Sequence, residues 1–286
     1  MTVVNMKNLL NHASVEKYGI GAFNVTDLDM VRGVIAAAET ENSPVILQFA
    51  EVHKNYAPLE VLAPIMVDAA RNAKVPVVVH LDHAETFDTI LQAMHVGFSS
   101  VMIDASKMAY EDNIATTREI VKIAHALNVS VEAELGTMNR EGGGTNDFYD
   151  TLESTFTDPK IAKDFVTKTG IDALAVAFGT VHGVYTKKPH LDFKRLAEIN
   201  NEVDVPLVMH GGSGLSDFEY QEAIRNGVRK INYYSTLAYN VANSVKEKLN
   251  KETKQIFISD VSLWVIDLIK EDVRSKMRVF QSSGKA

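Results

Sequence analysis

The sequence predicts an α/β protein, a TIM (β/α)8 barrel with additional C-terminal helices. Three observations predict it. Short runs rich in Val, Ile and Ala recur eight times, as buried parallel strands do. Between them lie longer stretches with apolar residues at i, i+3, i+4 and i+7, as amphipathic helices have. No G-x-G-x-x-G follows the first run, so the competing open, doubly wound sheet lacks its opening signal. Eight β-then-α units close a parallel sheet on itself.

In chain order the strands are expected at "YGIGAFNV" (Tyr18–Val25), "PVILQF" (Pro44–Phe49), "VPVVVHLD" (Val75–Asp82) and "SVMID" (Ser100–Asp104). They continue at "SVEAEL" (Ser130–Leu135), "DALAVAFG" (Asp172–Gly179), "VPLVMH" (Val205–His210) and "KINYYS" (Lys230–Ser235). Helical patterns such as "DLDMVRGVIAAAETE", "PLEVLAPIMVDAARNA" and "SDFEYQEAIRNG" separate them. "HVGFSS", "KTGIDA" and "RNGVRK" each place Gly where a helix stops and a strand starts. After Lys251 more helical pattern follows, "SDVSLWVIDLIKEDVRSKM" being the clearest. Residues 1–286 therefore read as a single barrel domain with a helical extension over about 251–286, its Trp264 placed to cap the barrel or pair subunits.

Composition narrows the function classes. The chain has no cysteine, so a zinc ion has to sit on His, Asp or Glu, and a cytoplasmic location is expected. A net charge of −8 without any Lys/Arg block speaks against nucleic acid as a partner. No run approaches the ~18 apolar residues of a membrane span. The N-terminus also lacks the basic-then-apolar order of a signal peptide. Any anionic ligand has to be drawn in by backbone dipoles and local groups.

The polar residues collect at strand ends, where a barrel keeps its active site. Asn24 ends the first strand, Asp82 and His83 the third, Asp104 the fourth, Glu132 and Glu134 the fifth. His182 lies in "GTVHG" after the sixth, His210 ends the seventh, and Asn232 and Ser235 lie on the eighth. A single strand-end His is more often a hydrogen-bonded structural residue than a ligand. Three such residues ringed by carboxylates reverse that balance, since three imidazoles with an open fourth position describe a catalytic zinc site. His80 shares parity with Asp82 and reads as a filler of the barrel interior, whereas His53 stays ambiguous.

"HGGSG" (His210–Gly214) supplies glycines that let backbone N–H groups approach an anion, a hydroxyl from Ser213, and a helix starting near Ser216. The position after strand seven, beside Ser235, is where barrels commonly bind phosphate; the alternative is a plain tight turn. "GTMNREGGGTNDFYD" (Gly136–Asp150) reads equally as a surface loop or as a lid delivering Glu141. A three-His metal beside a phosphate cradle, with Asp82 free to move protons, suits making or breaking a carbon–carbon bond next to a carbonyl. Metal-assisted hydrolysis stays open on these grounds. Imine chemistry is disfavoured, because "DALAVAFG" has no lysine, Lys230 opens its strand at the far end of the barrel, and only Lys107 lies just past a strand end.

The motifs "HLDHAETFD", "SVMIDAS", "VEAELG", "VAFGTVHGVY", "VPLVMHGGSG" and "KIN" occur in order, and together they resemble the class II, metal-dependent ketose-bisphosphate aldolases, the family of fructose- and tagatose-bisphosphate aldolases. The resemblance runs from "YGIGAFNV" to the C-terminal "GKA". It implies reversible cleavage of a phosphorylated ketose, a 1-phosphate or 1,6-bisphosphate, to dihydroxyacetone phosphate and an aldehyde. It implies Zn2+ or a similar divalent ion on His83, His182 and His210, with Asp104 and Glu134 around it or offering an alternative metal position. Asp82 would exchange the proton of the C4 hydroxyl. Gly183, Gly211, Ser213 and Ser235 would hold dihydroxyacetone phosphate, with Asn24 and Asn232 among the substrate contacts. Arg278 would reach the far phosphate of a bound substrate across a subunit boundary; the alternative is a surface arginine. The family also implies a monovalent cation, Na+ or K+, near the phosphate loops, and a homodimer or homotetramer. The alternatives are a metal-dependent hydrolase of a sugar phosphate and a non-catalytic sugar-phosphate-binding protein; the intact His/His/His/Asp set speaks against the second. The rim departs from fructose-specific relatives: Tyr233 and Tyr234 are bulky, Ser235 takes the place of Thr, Ala50 that of Ser, Thr186 that of Lys, and Glu141 stands alone.

Overall fold

In a computed structural model, which describes residues 2–136, 155–183, 185 and 189–286, the eight apolar runs form one closed barrel. Its strands are β1 (Ile20–Asn24), β2 (Val45–Ala50), β3 (Val77–Ala84), β4 (Ser100–Ile103), β5 (Ser130–Leu135), β6 (Ala173–Val176), β7 (Leu207–Met209) and β8 (Val228–Asn232). All neighbours run parallel, and β8 closes on β1 through Ile20 beside Lys230 and Ala22 beside Asn232. Parallel strands buried on both faces need no alternation of polarity, so β1, β2 and β4 are buried throughout.

The helices begin where the sequence supplies caps. Asp27 accepts from the Met30 N–H at 2.8 Å to start Leu28–Glu41, and Ser216 with Glu219 forms a capping box before Asp217–Arg225. A helix not anticipated above, Met6–Glu16, plugs the N-terminal end of the barrel. Its Met6, Leu9, Leu10 and Ala13 pack with Ile20, Ala22, Ile46, Val78, Ala173 and Val208. The lower barrel interior is thus apolar, whereas the inward positions nearer the strand C-termini carry Gln48, His80, Asp82, Glu132 and Lys230, all buried. Polar groups are concentrated toward the mouth.

Two boundaries differ from expectation in ways that matter for the site. β8 ends at Asn232, and Ser235 already opens the helix Ser235–Lys251. β3 runs two residues further, through a register shift between Leu81 and Ala84, with His83 at φ +47°. The last long helix, Ile258–Val279, lies against Leu28–Glu41, and Trp264 receives the Lys248 ammonium over its ring at 4.3 Å. Among the described residues no helix is long and apolar enough to cross a membrane.

Candidate active site

Strand geometry alone would send Asp82 and His83 to opposite faces of the sheet. The bulge and the left-handed backbone at His83 undo that alternation, so the carboxylate and the imidazole both reach the mouth. There His83 meets His210 and His182, with ring centroids 4.5 Å and 4.9 Å away, and the three offer ligand atoms lying within 4.8 Å of one another.

Two of the rings, His83 and His210, are oriented by carboxylates. His83 Nδ1 lies 2.8 Å from Asp104 Oδ2, while Asp104 Oδ1 accepts from the Ser106 hydroxyl at 2.7 Å. His83 Nε2 is then left buried with no hydrogen-bond partner. His210, fully buried, lies between two carboxylates, with Nε2 2.8 Å from Glu132 and Nδ1 2.9 Å from Glu134. Glu134 stands two residues nearer the mouth, so Nδ1 is the nitrogen that faces outward. Carboxylates on the far nitrogens of ligating imidazoles are the usual support of a metal site. An orphaned buried nitrogen, a mouth-facing one and a set of N and O donors without thiolates fit a zinc-like ion. His83, Asp104 and Glu134 form a second, overlapping group that could hold one.

The charges reinforce one another. Burial disfavours a charge on His210, but its bonds to Glu132 and Glu134 outweigh this and push its pKa up to about 10. Burial likewise works against a charged His83, and the Asp82 carboxylate overcomes it, raising that pKa. For Asp82, burial alone would raise the pKa, yet the charges of His83 and Lys230 hold it well below the usual carboxylate range. Asp104 follows the same pattern, with the bond from His83 outweighing burial. His80 is pushed down to about 3 by burial and then by Lys230, so it sits in the interior as a neutral ring, its Nδ1 2.9 Å from the Ser100 hydroxyl.

Asp82 is gripped at both oxygens. Asn232 donates to Oδ1 at 3.0 Å, and Asn24 donates to Oδ2 at 2.9 Å. Asn24 is itself held by Gln48, whose Nε2 donates to Asn24 Oδ1 at 2.8 Å. Both asparagines, expected as substrate contacts, thus touch the carboxylate first.

The glycine loop after β7 has the form that close backbone approach demands. Gly211 adopts φ +61°, and a Cβ there would lie 2.4 Å from the Val181 carbonyl oxygen. Tyr185 donates to the Gly211 carbonyl at 2.8 Å and Tyr220 to that of Gly212, while Ser213 Oγ accepts from the Tyr234 N–H at 3.0 Å. The helix near Ser216, expected to aim its positive end at the ligand, is closed by its own capping box. The helix beginning at Ser235 has no side-chain cap, so its first N–H groups are the ones left for an anion. Gly183, at φ +119°, follows His182 directly.

One expected residue, Arg278, is not brought to this mouth. Arg278 is clasped by Glu41, with Nε at 3.0 Å and Nη2 at 2.7 Å. Glu41 ends the helix that leads into β2, so this pair lies at the opposite, N-terminal face of the barrel. Within one chain Arg278 therefore makes no far-phosphate contact. Glu141 lies outside the described residues. Sequence reasoning missed Gln48 and Lys230 as members of the site; their inward parity with Ala50 and Asn232 was the available signal. Lys230 does not stand apart at the far end, because its ammonium reaches up to Asn232 Oδ1 at 2.8 Å.

Comparison with known proteins agrees with this geometry. Residues 4–285 match the family model described as fructose-bisphosphate aldolase class-II. A probable fructose-bisphosphate aldolase of Bacillus subtilis (strain 168) is 39% identical over 289 residues, covering 100% of both chains. A fructose-bisphosphate aldolase of Geobacillus stearothermophilus is 40% identical over 291 residues, covering 100% of this chain and 99% of that protein. The X-ray structure of the YdjI aldolase from Escherichia coli K12 superposes with a TM-score of 0.88 at 37% identity, over 99% of each chain.

Proposed function

The chain belongs to the class II fructose-bisphosphate aldolase family, a family of metal-dependent lyases, and from that premise we propose the roles of its residues in cleaving a phosphorylated ketose to dihydroxyacetone phosphate and an aldehyde. The observation that carries the proposal is the pairing of a three-imidazole cluster with a carboxylate held at both oxygens beside it.

His83, His182 and His210 would hold the divalent ion, and zinc suits three imidazoles without thiolates. Bound there, the ion supplies Lewis-acid polarisation of the substrate carbonyl, which favours negative charge on the carbon that separates from the aldehyde. Asp82 takes the C4 hydroxyl proton as the bond to C3 breaks, and returns it in the condensation direction. Amide N–H groups donate to both of its oxygens, as an ionised carboxylate that can accept a proton requires. Asn24 and Asn232 fix its direction. Gly183, Gly211, Ser213 and Ser235 hold the phosphate through backbone N–H groups, hydroxyls and the uncapped helix start. Glu141, which lies outside the described residues, is assigned as the acid a lid would deliver. A monovalent cation, Na+ or K+, belongs beside the same carbonyl-rich loops.

We further assign the protein to the cytoplasm, with no nucleic-acid or membrane partner, as a homodimer or homotetramer of single-domain chains. The exposed Tyr239, Phe257, Ile258 and Leu263 on and before the C-terminal helices support subunit pairing.

The test is cleavage of fructose 1,6-bisphosphate and of ketose 1-phosphates, before and after chelation. Formation of dihydroxyacetone phosphate is expected to stop on chelation and to return with zinc. Asp82→Ala is expected to keep its metal and to lose about 10²–10⁴ in rate, the share of a positioned acid/base. An Asp82→Ala enzyme at full rate would overturn the assignment, and release of inorganic phosphate in place of an aldehyde fragment would point to hydrolysis.

A further inference from the structure

A cation lies completely buried inside the barrel, beneath the imidazoles. Lys230 has no exposed surface, and its Nζ lies 3.0 Å from Glu132 Oε2 and 2.8 Å from Asn232 Oδ1. Burying an ammonium costs several kcal/mol even when it is paired, and an apolar side chain would fill the same space at lower cost. The placement therefore calls for a reason beyond packing.

Donor chemistry supplies one. A lysine ammonium only donates hydrogen bonds, and an ionised carboxylate only accepts them. Asn232 stands between the two, and either end of an amide could in principle face either neighbour. With Lys230 below, the carbonyl oxygen has to turn down to the ammonium, and the NH2 has to face Asp82 Oδ1, where it donates at 3.0 Å. A flipped amide would set oxygen against carboxylate and nitrogen against ammonium, repelling on both sides. The matching grip on Oδ2, through Asn24, depends on Gln48, a second amide that does not fix a direction by charge. Lys230 is therefore the one fixed reference in the set that aims Asp82.

We propose that Lys230 is a positioning residue, which through Asn232 holds the Asp82 carboxylate in the orientation from which it takes the C4 hydroxyl proton. The proposal rests on the role assigned to Asp82 above. The competing role, a structural counter-ion to Glu132 that keeps His210 in place, predicts dependence on the metal and not on Asp82.

A double-mutant cycle separates them. Lys230→Met and Lys230→Gln are made in the wild-type and Asp82→Asn chains, and kcat, KM, zinc per chain and thermal midpoint are measured for each. Lys230→Met is expected to lower kcat by about 10- to 100-fold, the scale of a misaligned reacting group, with KM within about threefold and zinc content unchanged. In the Asp82→Asn background the same substitution is expected to cost less than about threefold, because the group it aims has gone. If Lys230→Met does not fold, Lys230→Gln, one atom shorter, keeps a donor; its loss has to disappear in the Asp82→Asn background in the same way. Equal losses in both backgrounds, or zinc lost in step with activity, overturn the proposal. An Asp82→Asn enzyme at the wild-type rate overturns the role of Asp82 itself, and is told apart by that single variant.

Discussion

Asp104 illustrates how much of the proposed metal site lies one bond behind its ligands. It takes His83 Nδ1 at 2.8 Å and leaves Nε2 to the mouth, while Ser106 keeps its carboxylate from swinging. Asp104→Ala is therefore expected to weaken zinc binding by about 10- to 100-fold, as loss of a supporting carboxylate does. At saturating zinc the rate should change far less. Competition against a chromogenic chelator measures the affinity, and an unchanged value would mean that Asp104 serves only its own turn. At this scale the sequence was readable wherever chemistry and topology coincide. His83, His182 and His210 could be grouped because all strand C-termini of a barrel meet at one mouth. Lys230 was legible as a residue but not as a neighbour, since side-chain reach carries its ammonium two positions up the strand. The pairing of Arg278 was not legible for the converse reason: its partner Glu41 is 237 positions away, and no local pattern announces such a pair.

The elements followed hydrophobic period closely, and departed from it where backbone geometry was decided by tertiary contacts. All eight strands lie within or beside the expected runs, yet β3 extends through a bulge whose left-handed His83 has no sequence signal. The helix Met6–Glu16 did carry one, its Met6, Leu9, Leu10 and Ala13 falling on a single face. The expected C-terminal helix docks through a close approach at Gly33. A Cβ there would lie 2.7 Å from Ile269 Cγ2 and 3.0 Å from the Ile266 carbonyl oxygen. Because one of these obstacles is backbone, the contact cannot relax by a rotamer change alone. Gly33→Ala gains about 1 kcal/mol of helix propensity. Overpacking of this kind costs about 1–3 kcal/mol, so a net loss of up to about 2 kcal/mol is expected. Urea unfolding measures it, and a stabilised Gly33→Ala protein would mean that the two helices do not meet as closely as described.

Over the whole molecule, the two ends of the barrel are held by different means. The mouth concentrates buried carboxylates and imidazoles whose donor atoms suit a cation and a proton transfer. The opposite end is sealed by the N-terminal helix and by a clasp on Glu41, which receives Arg278, Arg274 and the Ser283 hydroxyl. The chain terminus follows, with Gly284 N–H donating to the Glu41 carbonyl at 2.8 Å and Ala286 N–H to that of Asn42 at 3.0 Å. Arg278 thus ties the end of the chain to the start of β2, which is a stability role. The bond from Arg278, aided by Arg274 and Ser283 against the cost of burial, lowers the Glu41 pKa from 4.5 to about 2. A carboxylate depressed in this way adds stability that is present above its unfolded value of 4.5 and is lost as pH falls through about 2. Taken whole, the shift corresponds to about 3 kcal/mol; solvent screening around the half-exposed Arg278 reduces this to about 1–2 kcal/mol. Glu41→Gln should therefore lower the thermal midpoint at pH 7 by a few degrees, at about 2–4 °C per kcal/mol. Measured on zinc-free protein, its difference from wild type should shrink steadily between pH 4.5 and 2, where the wild-type carboxylate also becomes neutral. Identical melting of the two proteins at pH 7 would mean that the clasp adds nothing to the fold, and that Arg278 is free for some other partner.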